Sequence, residues 1–263
     1  MIRNRQIYLI QGGYGNRLII YSHIKNVQNI SQNPISLIIH KRCNASIMEP
    51  KESINLNCPV NRKIDFIAFY LEAFLRRIGL KVVYSIFFKF FLGKIHKGYY
   101  QDKKLFADEL SKYNSYHIEE QFNPYGPEAI IIHVRRGDYY SERFIKQYGG
   151  ICDIEYYKDA LNLLKEKIGY TGQKIVIVSD DPSWVSENLH FQNMIIHNSK
   201  SYMDDWNLMK NSKNLIISNS TFSLTAAWAG DVENVFYPNK WDHFTGDKTN
   251  ILFKKKWRKV ERK

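Results

Sequence analysis

The sequence has only three cysteines in 263 residues, Cys43, Cys58 and Cys152. An odd number without C-x-x-C or Cys/His spacing excludes a disulfide-stapled miniprotein, favours buried thiols over metal ligands, and is typical of a reducing compartment. The 44% hydrophobic and 24% charged residues exclude a disordered tail and a fibrous repeat. We expect an ordinary globular protein with two compact domains of roughly 100 to 150 residues each.

The sequence also lacks a long apolar run. The richest stretch, residues 66–92, is broken by five charged side chains, whereas a membrane-spanning helix needs about 18 apolar residues in a row. At the amino end only residues 7–10 are continuously apolar, too few for the apolar region of a signal peptide. We therefore predict a cytoplasmic protein that is not integral to a membrane.

The net charge of +12 is unevenly distributed. Residues 62–104 hold ten Lys or Arg against three acids, and residues 254–263 hold seven against one, so the rest of the chain is close to neutral. A positive excess favours a nucleic-acid partner in general, but a nucleic-acid channel would spread the charge over the core elements. A basic stripe on one aromatic helix is predicted by the four-residue spacing of Arg77, Lys81, Ser85 and Lys89. This stripe and the basic tail suggest peripheral contact with an anionic membrane, although a core helix with a solvated face explains the stripe equally well.

Short β-branched runs alternate with amphipathic stretches from about residue 128 to residue 237. The runs, predicted as strands, are 129–134, 174–179, 194–197, 214–218 and 234–238. The predicted helices between them are 154–168 with Asp153 as N-cap, 182–189, 202–210 and 221–229. Nearly continuous apolar runs between helices indicate strands buried on both faces, hence a doubly wound parallel sheet, whose ligands bind at the carboxyl ends of the strands.

The amino half begins in the same way, with a predicted strand at 7–10, a helix from about Asn16 and a second strand at 35–39. The turn between the first strand and the helix, Gly12-Gly13-Tyr14-Gly15-Asn16, has neither dinucleotide nor P-loop spacing. It allows backbone to approach a ligand closely and presents Asn16 at a helix start, and a purely structural tight turn is the alternative.

The boundary between the two predicted domains falls in residues 121–127, where asparagine, proline and glycine cluster. The first domain is expected to be 1–125, with a helical insert, and the second 126–263, with a basic tail. No strand alternation is evident between 43 and 127.

Dense polar clusters follow three of the predicted strands, at residues 133–139 (HVRRGDY), 179–182 (SDDP) and 218–223 (SNSTFS). By the strand-end rule all three should face one crevice. The first cluster contains Arg135, whose guanidinium group suits bidentate phosphate recognition; an ion pair with Asp138 that only fixes the turn is the alternative.

The other two clusters each precede a predicted helix. Helix capping explains one aspartate of the pair Asp180 and Asp181, and leaves the second free to accept hydrogen bonds from a base or a ribose. No D-x-D pair that could hold a metal–diphosphate is present, so a metal is not indicated. A phosphate site of hydroxyls and backbone amides is predicted from four successive small polar residues, Ser218, Asn219, Ser220 and Thr221.

Taken together, these blocks resemble a known family. The segments GGYGNR (12–17), HVRRGDY (133–139), SDDPSWV (179–185), DDWNLM (204–209), NLIISNSTFSLTAAW (214–228) and PNKW (238–241) follow the order of the bacterial α-1,2-fucosyltransferases of glycosyltransferase family 11. The resemblance implies a GT-B enzyme, an α/β protein with two Rossmann-like domains facing a cleft. Such an enzyme transfers L-fucose from GDP-fucose with inversion, and without metal or other cofactor, to a hydroxyl, expected to be galactose O2, of a glycan in surface polysaccharide biosynthesis.

The resemblance also implies roles for single residues. Arg135 would bind the donor diphosphate and be catalytic, and Asp180 or Asp181 would recognise guanosine. Asp138 would act by orienting a neighbouring arginine or as the general base, a role for which His133 is the other candidate. The remaining expected substrate-binding residues are Gly13, Asn16, His133, Arg136, Ser218, Asn219, Ser220 and Thr221. For His133 the alternative is a purely structural role in the core.

Two departures from the family pattern concern the acceptor side. Arg17 and the residues after it replace a glutamine and the run that usually follows, and Leu224 and Thr225 stand where tryptophans are usual. The donor-facing blocks are intact, so GDP-fucose remains the expected donor, and a polysaccharide or lipid-linked oligosaccharide is the expected acceptor glycan. The alternatives are a GT-B transferase with another nucleotide sugar or linkage, a silent sugar-nucleotide-binding subunit, and a nucleic-acid-binding protein.

Overall fold

The structure, a computed structural model, describes residues 5–31, 33–39, 56, 58–83, 92–112, 123–244 and 252–261. By its internal contacts the chain divides into two compact units, Met1–Leu110 and Ser111–Lys263. The division falls ahead of 121–127, the segment predicted to hold the boundary. In the part of the chain that the structure describes, no helix is long and apolar enough to span a bilayer.

The first unit is built on a three-stranded parallel sheet with the strand order β2-β1-β3. Its elements are β1 (Gln6–Ile10), α1 (Tyr14–Ile30), β2 (Ile35–Ile39), α2 (Lys63–Arg77), the short α3 (Lys81–Val83), β3 (Lys94–His96) and α4 (Lys103–Ser111), the last of which crosses the division between the units. Both predicted strands and the helix between them are confirmed. The core lies between the sheet and α2, where Ile7, Leu9 and Ile38 pack against Ala68 and Leu75.

The predicted aromatic helix with the basic stripe is interrupted at its start. Helix α2 ends at Arg77, and Gly79 follows with φ of +79°, a left-handed conformation that favours glycine and stops the helix. Arg77 and Lys81 therefore do not share one continuous helix. The other two members of the predicted basic stripe, Ser85 and Lys89, lie outside the described residues.

The second unit is a six-stranded, all-parallel sheet with the order β6-β5-β4-β7-β8-β9. Its strands are β4 (Ile130–Val134), β5 (Ile175–Ser179), β6 (Met194–Ile196), β7 (Asn214–Ile216), β8 (Asn234–Pro238) and β9 (Arg258–Val260). Its helices are α5 (Ile145–Tyr148), α6 (Ile154–Ile168), α7 (Pro182–Asn188), α8 (Tyr202–Lys210) and α9 (Thr221–Ala229), and a 3-10 turn spans Gly137–Tyr140. All five predicted strands and all four predicted helices are confirmed, three of the helices at their predicted bounds.

Local sequence explains where these helices begin and how they pack. The Asp153 side chain accepts a hydrogen bond from the Tyr156 backbone amide at 2.9 Å and so caps α6 as predicted. Tyr156, Leu161 and Leu164 of α6 are buried against the strands of the sheet. The strand residues of β4 are all buried, as expected for a sheet covered on both faces.

The basic stretch at the carboxyl end includes a strand of the sheet. Arg258 opens β9, which pairs in parallel with β8, and the neighbouring Trp257 is buried. The Lys254 and Lys256 ammonium groups contact one carboxylate oxygen of Asp231 at 2.6 and 3.1 Å. The apolar residues between the lysines pack into the core of the second unit, and this packing holds the segment in place.

Candidate functional site

The three polar clusters meet at one edge of the second unit because β5, β4 and β7 are neighbours in the sheet. Side chains join the clusters directly: Arg135 contacts Asp180 across the β4–β5 pair, and His133 contacts Ser218 across the β4–β7 pair. The strand-end rule therefore locates these residues correctly. The edge is polar where the strands below it are apolar, as expected for a ligand-binding edge.

Arg135 is held between two carboxylates. Its Nη2 donates to Asp138 Oδ1 at 2.6 Å, and its Nη1 lies 2.6 Å from Asp180 Oδ2. Burial lowers the pKa of Arg135, but the charges of Asp180 and Asp138 outweigh it and raise the pKa above its ordinary value. One third of the side chain is exposed, so Arg135 presents a permanently charged guanidinium group that two carboxylates orient.

Because Gly137 has no side chain, the Asp180 carboxylate can lie close to the backbone at this position and contact Arg135. A Cβ at Gly137 would overlap the Asp180 carboxylate and would lie 3.7 Å from the guanidinium carbon of Arg135. Any side chain here would displace Asp180 from Arg135. The glycine of the RRGD block thus has a steric role.

Arg136 has a different environment from its neighbour. Its guanidinium carbon lies 3.9 Å from the ring centroids of both Tyr140 and Trp184, and its Nε donates to Asp181 Oδ2 at 3.2 Å. Its backbone amide donates to Asp180 Oδ1 at 2.9 Å. Of the two arginines, Arg136 is the more buried, and Arg135 presents the more accessible guanidinium group.

His133 lies within β4, and its side chain is buried beneath the polar edge of the sheet. Its Nδ1 is 2.9 Å from Ser223 Oγ and 3.0 Å from Ser218 Oγ, and the side chain is buried. Burial, with a smaller contribution from the charge of Arg135, lowers the pKa of His133 to about 3. The imidazole is therefore neutral near pH 7, and it organises the two serines around it.

Three of the four residues predicted to form a phosphate site are themselves buried: Ser218, Asn219 and Ser220. Asn219 Nδ2 donates to the Trp241 carbonyl at 3.1 Å, and Ser220 Oγ caps α9 by accepting from the Phe222 amide at 3.3 Å. Thr221, the first residue of α9, is half-buried. The outward part of this cluster is thus Thr221 and the positive end of the helix, which suits an anion.

Sequence reasoning missed a second charged cluster at the same edge, at the end of β6. Tyr125 Oη hydrogen-bonds with His197 Nδ1 at 2.8 Å, and His197 Nε2 lies 3.8 Å from Asp205 Oδ1. Burial and the nearby Asp204 raise the pKa of Asp205 to about 6, despite a hydrogen bond from Ser199. Asp205 was visible in the DDWNLM block, but its pairing with His197 depends on the tertiary fold.

The glycine turn of the first unit has the predicted form. Gly12 has φ of +85°, and a Cβ there would lie 3.0 Å from Asn16 Nδ2. The Asn16 Oδ1 accepts from Gln101 Nε2 at 2.9 Å, while a Cβ at Gly13 would meet nothing within 4 Å. Arg17, which departs from the family pattern, is fully buried and donates from Nε to the Gly12 carbonyl at 3.0 Å. Arg17 thus stabilises the turn from beneath.

A parallel α/β unit with an oriented arginine and a helix N-terminus at its strand ends defines a class of proteins that bind anionic ligands such as nucleotides at that edge. The comparison with known families makes the class specific. The model of glycosyl transferase family 11 matches residues 70–261. The chain therefore belongs to glycosyltransferase family 11, and its two parallel-sheet units are the α/β architecture expected of the GT-B type.

Two curated relatives from Escherichia coli are similar to this chain. The O-antigen biosynthesis glycosyltransferase WbnK is 30% identical over 156 residues, which cover 57% of this chain and 50% of the relative. An alpha-1,2-colitosyltransferase is 27% identical over 192 residues, which cover 63% of this chain and 62% of the relative. The chain thus spans between half and two thirds of the length of these relatives.

Solved structures give weaker likenesses. The E. coli heptosyltransferase WaaC with ADP has a TM-score of 0.49 at 12% identity, with 97% of this chain and 92% of that chain covered. A mutant of Arabidopsis thaliana FUT1 in complex with GDP has a TM-score of 0.49 at 13% identity, with 91% and 71% covered. Likenesses of this size say nothing about the substrate.

Proposed function

We propose that this protein is an inverting fucosyltransferase that transfers L-fucose from GDP-fucose to a glycan hydroxyl, with galactose O2 as the preferred position. Membership of glycosyltransferase family 11 supports sugar transfer. The relative named for O-antigen biosynthesis supports an acceptor in a surface polysaccharide. The observation that carries the proposal is the fixed orientation of Arg135 between Asp138 and Asp180.

The proposed chemistry explains why such an arginine is needed. Breaking the bond between fucose and phosphate builds positive charge on the sugar and negative charge on the departing GDP. A preorganised cation beside the β-phosphate lowers the barrier because it need not reorient as the charge develops. In this proposal Arg135 provides that cation without a metal ion, and Thr221 with the N-terminus of α9 contacts the same diphosphate.

We assign to Asp138 the role of orienting Arg135, and not the role of accepting a proton from the acceptor hydroxyl. Its Oδ1 accepts the short hydrogen bond from Arg135 Nη2, and an aspartate in this role would be expected to affect the rate at all pH values. If Asp138 were instead the general base, Asp138→Asn would remove the ascending limb of the pH–rate profile. An unchanged limb with a lower rate is the expected result.

Asp180 and Asp181 remain predictions as guanosine-recognising residues. Both carboxylates already pair with arginines, so contact with guanosine would have to use their remaining lone pairs. Asp205, half-buried beside His197, is a further carboxylate at the same edge. Asn16 in the first unit remains a prediction as a donor-binding residue.

A second candidate donor is GDP-colitose, favoured by the relative named alpha-1,2-colitosyltransferase. Release of GDP from a panel of nucleotide sugars, with and without β-galactosides, separates the candidates. We expect the highest kcat/KM with GDP-fucose, dependence on a galactoside, and no loss of rate in EDTA. Higher kcat/KM with GDP-colitose would change the donor and leave the site intact.

Binding of GDP alone tests the site itself. A ligand at about one hundred times its Kd stabilises a folded protein by about 2.7 kcal/mol, which a thermal-shift measurement detects. Absence of stabilisation by millimolar GDP would contradict the proposal. Binding without transfer would indicate a silent subunit, and salt-dependent binding of DNA or RNA in its place would favour the nucleic-acid alternative.

A further inference from the structure

Exposed apolar side chains are concentrated in one short segment of the first unit. In the described part of the chain, twelve large hydrophobic side chains are exposed, and seven of them lie between residues 64 and 82. They are Ile64, Ile67, Tyr70, Phe74, Ile78, Leu80 and Val82. Scattered single residues of this kind are ordinary, but a contiguous set marks a surface that contacts something.

The helix α2 has two apolar sides, and only one of them faces the core. Ala68 and Leu75 are buried against the sheet. On the opposite side Ile67, Tyr70 and Phe74 follow the three- and four-residue spacing that places side chains on one face of a helix. We define the outer face as Ile64, Ile67, Tyr70, Phe74 and Ile78; its three central members are each about 60% exposed.

The exposed charges on α2 itself have one sign. Both acidic residues of α2 turn toward the core: Asp65 contacts Arg5 at 2.9 Å, and Glu72 contacts Arg76 at 2.8 Å and also Lys97. The exposed charged residues at the two ends of the helix, Lys63, Arg76 and Arg77, are all basic. The outer face is therefore an apolar strip with positive charge at its borders and no outward acid on α2.

We propose that the outer face of α2 docks on a phospholipid bilayer that carries anionic headgroups. Tyr70 and Phe74 would lie at the boundary between headgroups and acyl chains, and Lys63 and Arg77 would contact lipid phosphates, as in helices that lie in the plane of an interface. A second copy of this chain fits less well, because a symmetric contact would bring the same basic residues together. The proposal goes beyond the proposed function and does not depend on the identity of the donor.

Sedimentation with vesicles tests the proposal. We expect the full-length protein to bind vesicles of phosphatidylglycerol and phosphatidylethanolamine, and phosphatidylcholine vesicles at least tenfold more weakly. The double variant I67N/F74N should lower the partition coefficient on anionic vesicles at least tenfold, since it replaces two exposed apolar side chains by polar ones. The matched control is Ile30→Asn, which changes an apolar side chain that is 88% exposed on α1 and should leave vesicle binding unchanged.

A charge variant separates this surface from general electrostatic attraction. K63Q/R77Q should weaken binding to anionic vesicles more than K104Q/K146Q, which also removes two charges, from exposed lysines on α4 and α5. Because all these positions are exposed, the variants should keep the circular dichroism and the stabilisation by GDP of the unmodified protein. That readout distinguishes failure of membrane docking from failure of the proposed nucleotide site.

Three outcomes would overturn the proposal. The first is full-length protein that binds neither vesicle type, and the second is vesicle binding that I67N/F74N leaves unchanged. The third is a dimer, detected by analytical ultracentrifugation, that I67N/F74N dissociates while the unmodified protein fails to bind vesicles. The outer face would then be an interface between copies of the chain.

Discussion

Removal of the Arg135 guanidinium group should abolish most of the catalytic rate and little of the stability. In the proposed mechanism Arg135→Ala removes one preorganised donor beside the departing diphosphate. The loss of one such donor typically lowers kcat by about a hundredfold to a thousandfold, or about 3–4 kcal/mol of transition-state stabilisation. Substrate binding contributes further, so the loss in kcat/KM should be at least this large.

The expected cost in stability follows from the partners that Arg135→Ala leaves behind. The Asp138 side chain is 54% exposed, and Asp180 keeps its hydrogen bond from the Arg136 amide. Partly exposed ion pairs of this kind contribute about 0–1 kcal/mol each. For a protein of this size the Tm should therefore fall by only a few degrees.

GDP release under saturating acceptor measures the rate, and thermal unfolding measures the stability. Arg143→Ala is the matched control, because Arg143 is an exposed arginine a few residues further along the chain, and its rate should stay within twofold of the unmodified protein. A kcat/KM for Arg135→Ala within about threefold of the unmodified value would refute the assignment. So would a large loss of Tm that accounts for the inactivity by unfolding.

Three further predictions rest on other parts of the structure. Gly137→Ala should lower kcat/KM at least tenfold without unfolding the protein, because its Cβ would overlap the Asp180 carboxylate; an unchanged rate would contradict the steric role. The pKa of His133 is about 3 in the folded protein and about 6.5 when unfolded, so between these values the unfolded chain binds a proton that the folded chain does not. The free energy of unfolding should fall as pH is lowered from 6.5, by up to about 1.4 kcal/mol per pH unit. The difference between the free energies of unfolding measured with urea at pH 7 and at pH 5 should be smaller in His133→Asn than in the unmodified protein. Asp65→Ala should cost about 3–5 kcal/mol in urea unfolding, because it removes one partner of a buried ion pair, the carboxylate that lies 2.9 Å from Arg5; a cost below about 1 kcal/mol would contradict this.

The elements of the second unit could be predicted from the sequence because each follows from local properties. Continuous β-branched runs are strands buried on both faces, and polar residues after them end the strand and cap the next helix, as Asp181 and Ser220 do. Since all these strands are parallel, their ends share one edge, which places Arg135 near Asp180. The proximity of Arg135 and Asp180 follows from the direction of the strands and from which strands are adjacent in the sheet, without atomic detail.

The parts that could not be predicted depend on contacts between distant residues. Strand β9 lies in a lysine-rich sequence that was predicted only as a basic tail. Its pairing with β8 and the burial of the neighbouring Trp257 are contacts with distant residues, which the local sequence does not indicate. The contact of His197 with Asp205 joins two elements that the sequence does not link. The break after Arg77 was visible as Gly79, but the apolar residues on either side of it favoured one helix.

The arginines of the RRGD block show how adjacent residues of one type acquire different roles. Tyr140 and Trp184 hold the Arg136 side chain, and the Arg136 backbone amide then fixes Asp180. Asp180 in turn orients Arg135. The aromatic contacts of one arginine thus preorganise the other through a carboxylate and the backbone, so the electrostatic field at the strand ends is set before any ligand arrives. Such preorganisation is what a charged transition state requires, because no reorientation of the site is then needed during the reaction.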